Sequence, residues 1–94
     1  MVRLAGKEVR EQLKHLQGWR LADKSIQRKF KFKNFVQAVQ FVNKLVPIAE
    51  KMQHHPDLQI KNYNEVIVSS TTHDAGGLTK WDFQLANKIN KIAK

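Results

Sequence analysis

The sequence predicts an α+β fold in which an antiparallel sheet is covered by helices on one face. Apolar residues recur at helical spacing in three stretches, and they alternate with polar residues in two pairs of shorter stretches between them. The resulting order is α-β-β-α-β-β-α. Helices on one face of a sheet are the simplest arrangement that buries the apolar side of every element. The length of 94 residues suits a single domain, residues 1–94.

The first helix and the first hairpin are predicted from apolar spacing and turn residues. Apolar positions three or four residues apart predict a helix over 7–16, and Gly18 is a typical stop signal. A short strand over 19–22 and a longer one over 25–32 flank Asp23-Lys24. This pattern predicts a hairpin with a tight turn.

The central helix has a clear beginning, a clear end and one interruption. Asn34 is a good N-cap, and a helical apolar stripe follows it as far as Gln53. Pro47 lacks the N–H for its turn and clashes with the preceding turn, so we expect a bend there. Pro56 disfavours helical geometry at His55 and predicts that the helix has ended by that point.

A second hairpin and a last helix complete the chain. Alternation around 58–60 and a β-branched run over 65–71 flank a turn at 62–64. Residues 74–77 predict a glycine-containing loop. Thr79 is expected to begin the last helix, whose apolar side comprises Trp81, Leu85, Ile89 and Ile92.

The composition is that of an ordinary globular protein and excludes several classes of function. Hydrophobic residues make up 41% and charged residues 27% of the chain. No apolar run approaches the roughly 18 residues of a membrane span, and the N-terminus has no signal-peptide core. Without cysteine the chain has neither disulfides nor a thiolate. We therefore expect an intracellular, cytoplasmic protein with no membrane partner.

The formal net charge of +9 leaves two interpretations open. A basic chain can bind a polyanion, or its charge can serve solubility and the general electrostatic field. The lysines are scattered, and the densest patch, Arg28 to Lys33, alternates with phenylalanines as a half-buried strand does. Nucleic acid is therefore not the expected partner.

Three histidines close to carboxylates predict a proton-transfer site. Histidine exchanges protons near neutral pH, and His54, His55 and His73 lie between Glu50 and Asp82 in the sequence. The fourth histidine lies far from this run in a polar stretch, and a solvent-exposed helical position is expected for it. The grouping favours general acid–base chemistry.

The carboxylates have both functional and structural interpretations. Glu50 precedes His54 by four residues, so the two side chains could meet on one helix face, either to stabilise protonated His54 or as an ordinary surface pair. Asp82 is the third helical residue after Thr79, which predicts a capping box and leaves open that Asp82 also orients a neighbour. Tyr63 could equally pack or contact a substrate.

Zinc binding is an alternative interpretation of the three histidines. Three imidazoles can hold zinc with an open fourth position. The spacing lacks the i, i+4 histidine pair of a helical zinc motif, and no second pattern supports one. No metal is expected.

The combined pattern resembles that of the pterin-4a-carbinolamine dehydratases. The segment from Thr71 to Thr79 is similar to the family's loop before its last helix, and the likeness extends upstream through Trp19 and Phe30-Lys31-Phe32. It therefore covers nearly the whole chain. The residues that match the family's motif are Glu50, His54-His55-Pro56, Tyr63, His73 and Asp82.

The resemblance implies a fold, an assembly and a reaction. The fold is a four-stranded antiparallel sheet with helices on one face, and the assembly is a homodimer or homotetramer in which sheets pair and helices pack. The reaction removes water from a 4a-hydroxytetrahydropterin to give the quinonoid dihydropterin, in tetrahydrobiopterin recycling, with neither metal nor organic cofactor. Animal members of the family also act as dimerisation cofactors of a homeodomain transcription factor. The alternative function is therefore a protein-interaction module that does not need catalysis.

The resemblance also implies roles for individual residues. We expect His54 and His73 to be the acid–base pair, with Glu50 tuning His54, and which histidine is the acid stays open. His55 is expected in the same catalytic set. The residues expected to hold the pterin, together with His54 and His73, are His55, Pro56, Thr71, Thr72 and Asp74, while Asp82 and Tyr63 are expected to orient or support them. Pro47 and Trp81 depart from the family pattern outside these positions.

Overall fold

The structure, a computed structural model, describes residues 2–93 and has the predicted order of elements. Helix α1 spans Gly6–Lys14, α2 spans Phe35–Met52 and α3 spans Lys80–Ile92. The strands are β1 (Arg20–Ala22), β2 (Ser25–Lys31), β3 (Asp57–Lys61) and β4 (Glu65–Ser70), and a short 3₁₀ turn covers His73–Ala75. This is the predicted α+β fold, and the element ends lie within two residues of those predicted from the sequence.

The four strands form one antiparallel sheet in the order β1-β2-β4-β3. The long central pair is in register from Ile26↔Ser70 to Lys31↔Glu65, and β3 pairs with β4 from Asp57↔Ser69 to Lys61↔Glu65. The turn between β3 and β4 therefore lies at the opposite end of the hairpin from the start of β3. The distance between these ends is about 13 Å, from four residues at the usual strand rise.

One face of the sheet carries the core. Alternate residues of β4 are buried, and residues of β2 on the same face pack with them against the inner faces of α2 and α3. The core includes Ile26, Phe30, Leu45, Val66, Val68, Leu85 and Ile89. The β3 edge is less covered, since Leu58 and Ile60 are 39% and 37% exposed.

Side-chain caps fix where two of the helices begin. The Asn34 side chain accepts a hydrogen bond from the Gln37 N–H at 2.9 Å, as predicted. The Thr79 hydroxyl accepts from the Trp81 N–H, and Asp82 accepts from the Thr79 N–H at 2.9 Å. The predicted capping box is therefore present, and its Asp82 also connects the first turn of α3 to Ser70 at the end of β4.

Several local predictions need correction. Helix α2 includes Pro47 and ends at Met52, one residue before the predicted end at Gln53. The predicted loop over 74–77 is partly ordered as the 3₁₀ turn, with Gly76 at a φ of 73° as its cap. On α3, Leu85 and Ile89 are buried as predicted, but Trp81 and Ile92 are only half-buried and the unpredicted Phe83 lies in the core. No helix within residues 2–93 is long and apolar enough to cross a bilayer.

Candidate active site

The end of α2 sets the position of His54. Gln53 adopts a left-handed conformation with a φ of 52°, and the His54 N–H donates to the Ala49 carbonyl at 3.1 Å. This is the Schellman arrangement that commonly ends a helix, and it turns the chain sharply after the last helical residue. The two histidines that follow the helix differ in exposure: His54 is half-buried and His55 is exposed.

His54 is held by a buried carboxylate from a different helix. Its Nε2 lies 2.6 Å from Asp82 Oδ1, although the two residues are 28 positions apart in the sequence. The Asp82 side chain is fully buried. An ionised carboxylate has no proton to give, so His54 donates from Nε2 in this contact, and Nδ1 remains as the ring nitrogen available for proton exchange.

Asp82 accepts three further hydrogen bonds. The Ser70 hydroxyl donates to Oδ1 at 2.6 Å, and the Thr72 hydroxyl donates to Oδ2 at 2.9 Å. The Thr79 backbone N–H also donates to Oδ2, at 2.9 Å. A buried charge is tolerated only where it is paired or hydrogen-bonded, and here two donors satisfy each oxygen. The carboxylate is therefore fixed in place and gives His54 a rigid support.

The expected contact between Glu50 and His54 is not formed. Glu50 instead bonds to His55, with 2.5 Å between Oε2 and Nε2. The reason is geometric, because the left-handed residue at 53 ends the helix and removes the i, i+4 relation on which the expectation rested. Both side chains of this second pair are more than half exposed, whereas in the His54–Asp82 pair the carboxylate is fully buried and the imidazole is 13% exposed. Solvent weakens such an exposed pair.

One open cleft gathers most of the predicted site residues. Its volume is about 280 Å³, close to the lower end of the roughly 300–1,000 Å³ of small-molecule sites. All three histidines of the predicted site line it, although His73 comes from the 3₁₀ turn and the pair from the end of α2. The remaining lining residues are Gln53, Thr71, Thr72 and Asp74.

Two predicted residues border the cleft without lining it. Glu50 and Pro56 lie in a neighbouring recess of about 200 Å³ that shares His55 with the cleft. This recess is otherwise apolar and extends to Leu58 at the sheet edge. The two spaces thus meet at the exposed histidine of the pair.

Tyr63 is not brought to the cleft. It lies in the turn between β3 and β4, at the far end of that hairpin, with 63% of its surface exposed. It packs into no part of the core cluster. His15 is exposed at the end of α1, as predicted.

Two residues of the site were not predicted from the sequence: Gln53, which lines the cleft, and Ser70, which bonds to Asp82. Ser70 is 1% exposed, and its hydroxyl also lies 3.4 Å from His54 Nε2. The signal for Ser70 was present in the strand alternation, because residues 66, 68 and 70 share the buried face of β4. A serine on that face needs a buried hydrogen-bond partner, and Asp82 is that partner. Among residues 2–93, no group of three or more histidine and acidic side chains has a metal-binding arrangement.

Comparison with known proteins assigns the chain to a family. The family model for pterin 4 alpha carbinolamine dehydratase matches residues 2–92. The chain belongs to the pterin-4a-carbinolamine dehydratase family. The match covers both the histidine cleft and the helices and strands that form it.

Relatives and a solved structure agree with membership of the dehydratase family. A protein of Picosynechococcus is 52% identical over 90 residues, covering 96% of this chain and 97% of its own length. One from Sulfurisphaera tokodaii is 50% identical over 92 residues, covering 98% of each chain, and both carry the name "Putative pterin-4-alpha-carbinolamine dehydratase". The crystal structure of a transcriptional coactivator/pterin dehydratase from Brucella melitensis superposes with a TM-score of 0.91 at 40% identity, covering 98% of this chain and 99% of that one.

Proposed function

We propose that the chain is a 4a-hydroxytetrahydropterin dehydratase that uses its histidine cleft for general acid–base catalysis. The observation that carries the proposal is the His54–Asp82 pair at the wall of a cleft lined also by His55 and His73. A small cleft with several imidazoles and no metal-binding cluster within residues 2–93 suits a proton-transfer reaction on a small polar ring. The substrate class comes from family membership.

The reaction needs one acid and one base. Hydroxide is a poor leaving group, so an acid protonates the 4a-hydroxyl as the neighbouring ring nitrogen donates electrons and the C4a–O bond breaks. Water leaves, and a base then removes a proton from the cationic pterin to give the quinonoid dihydropterin. Positioned histidines contribute about 100- to 10,000-fold in such roles.

We assign these two roles to His54 and His73. His54 suits one of them because Asp82 occupies Nε2 and leaves Nδ1 free to exchange a proton. His73 is exposed and lines the same cleft from the 3₁₀ turn. We assign His55, Thr71, Thr72 and Asp74 to substrate binding on the same ground, since they complete the lining.

Glu50 and Pro56 have more distant roles in this proposal. The exposed Glu50–His55 pair would hold the imidazole of His55 at the edge of the cleft, where it borders the apolar recess. Pro56 restricts the backbone directly after the histidine pair. Glu50 thus supports His55 rather than His54.

Assembly and pathway are further parts of the proposal. Exposed apolar side chains on α2 (Phe35, Val36 and Val46) and on the β3 edge (Leu58 and Ile60) would be covered in a homodimer or homotetramer. The physiological role would be recycling of tetrahydrobiopterin or another pterin, in the cytoplasm. No bound metal or organic cofactor enters the proposed mechanism.

The direct test is dehydration of synthetic 4a-hydroxytetrahydropterin, followed by absorbance against the uncatalysed reaction. We expect rapid turnover by the purified chain without added metal and with chelator present. A rate equal to the uncatalysed one would reject the enzymatic proposal and leave the protein-interaction module. A parallel measurement of DNA binding at several salt concentrations distinguishes a polyanion-binding function from the enzymatic one, because the affinity of the chain for DNA would then fall steeply as salt rises.

A further inference from the structure

A groove between α2 and α3 lies apart from the histidine cleft. Its volume is about 720 Å³, and it shares no lining residue with the cleft. The residues of α3 that line it run from Trp81 to Ile92, which is about 16 Å along the helix axis at the usual rise per residue. The groove therefore extends for about three helical turns.

The floor of the groove is apolar. Four of its apolar residues are half-buried, and the fifth, Pro47, is exposed. This combination of apolar side chains and partial exposure is typical of a surface that a partner covers. The floor consists of Pro47, Ile48, Met52, Trp81 and Ile92.

The rim of the groove is polar, and every charged residue in its described lining is a lysine, with Gln84 as the one uncharged polar residue. Lys51, Lys88 and Lys91 line it, all exposed. The only acidic residues of α2 and α3 are Glu50, which is bonded to His55, and Asp82, which is fully buried. No carboxylate on either helix is therefore free to balance these lysines.

We propose that this lysine-rimmed groove binds an acidic amphipathic helix of a partner protein. Apolar side chains at i, i+3 or i+4, and i+7 of such a helix would meet the floor over the three turns. Its flanking glutamates or aspartates would meet the three lysines and select the partner by charge. A second copy of the chain fits less well, because a symmetric contact would place one set of lysines against the other.

The test uses a synthetic helical peptide of about four turns with leucines at those positions and glutamates beside them. A matched peptide has lysine in place of each glutamate. Binding is followed through the two indole N–H signals of the chain in an NMR titration. Trp81 lies in the groove, whereas the buried Trp19 donates its indole N–H to Asn90 at 2.8 Å and serves as the internal reference.

Two triple variants make the experiment specific for the groove. K51E/K88E/K91E reverses the rim, while K7E/K24E/K33E makes the same change in net charge at lysines that do not line the groove. We expect the acidic peptide to shift the Trp81 signal and to bind less tightly as salt rises. We expect the rim variant to weaken binding by about tenfold or more and the control variant to weaken it much less.

Several outcomes would overturn the proposal. These are an unmoved Trp81 signal at millimolar acidic peptide, equal binding of the lysine peptide, or equal weakening by the two triple variants. A Trp81 shift caused by anionic phosphatidylglycerol vesicles and not by the peptide would assign the groove to a membrane surface. A shift on protein dilution alone, without a response to peptide, would assign it to a second copy. None of these results depends on the dehydratase activity.

Discussion

Asp82 connects the start of α3 to the proposed acid–base residue. One of its oxygens accepts from His54 and Ser70, and the other accepts from Thr72 and from the backbone of Thr79. The same carboxylate thus caps a helix and orients an imidazole. The sequence predicts the cap and leaves open that Asp82 also orients a neighbour, and the structure shows both contacts.

Ser70 provides a residue-level prediction about this network. We expect Ser70→Ala to lower kcat by about tenfold with little change in KM, because Asp82 loses a hydrogen-bond donor that helps to fix His54. A factor of about ten corresponds to the loss of one hydrogen bond to a charged group. Ser70→Thr keeps a hydroxyl and should retain most activity. The measurement is the steady-state kinetics of pterin dehydration.

Ser69 is the matched control for Ser70. It is the neighbouring residue of β4, on the other face of the sheet, and its hydroxyl donates to Ser25 at 3.2 Å. Ser69→Ala removes the same atom from the same strand without touching Asp82. Equal loss of kcat in the two alanine variants would show a general effect on the strand rather than positioning of His54.

At the scale of the element, the turn between β3 and β4 places a carboxylate among cations. The Asn62 side-chain amide donates to Glu65 at 3.0 Å and, with Lys29 and Lys31 nearby, holds the pKa of Glu65 below its usual value. Burial opposes this effect only in part. A group with a depressed pKa in the folded state adds stability above its unfolded pKa and loses it as pH falls through the folded pKa.

Asn62→Gly removes the Asn62 side-chain amide and so tests how much this amide lowers the pKa of Glu65. Asn62 has a φ of 51°, which glycine adopts without strain, so the turn should persist while the hydrogen bond is lost. We expect the pKa of Glu65 to rise toward its ordinary value, as measured by carbon NMR of the side-chain carboxyl. A pKa that stays equally low would show that the lysines, not Asn62, are the main cause.

Pro47 gives a prediction for α2. The helix continues through it, although proline provides no N–H for its turn. We expect Pro47→Ala to raise the free energy of unfolding by about 2 kcal/mol. The substitution removes the cost of about 3 kcal/mol that proline carries inside a helix, but it also makes the unfolded chain more flexible, which lowers stability by a smaller amount. Urea denaturation measures the change. An unchanged or lower midpoint would mean that the side chain of Pro47 contributes packing that offsets the penalty.

Local sequence signals predicted most of the elements. Asn34 and Thr79 were identified as caps because their short polar side chains satisfy unpaired N–H groups at helix starts. The strand pattern predicted both hairpins. The end of α2 was harder, because nothing local showed that Gln53 would adopt a left-handed conformation and thereby change the partner of Glu50.

At the scale of the whole molecule, the site depends on contacts between distant segments. His54 and Asp82 meet only because α2 and α3 pack on the same face of the sheet, next to the end of β4. Sequence spacing cannot give that juxtaposition, so the histidines could be predicted as a group but not their carboxylate partners. The family resemblance supplied the set of residues, and the fold determined the pairs.

The most direct test of the account is the dehydration rate of three single variants. His54→Ala and His73→Ala should each lower kcat by about 100-fold or more, whereas His15→Ala, at the exposed end of α1, should match the wild-type chain. Circular dichroism would establish that all three variants are folded. Near-wild-type rates in both His54→Ala and His73→Ala would contradict the assignment of the cleft as the catalytic centre.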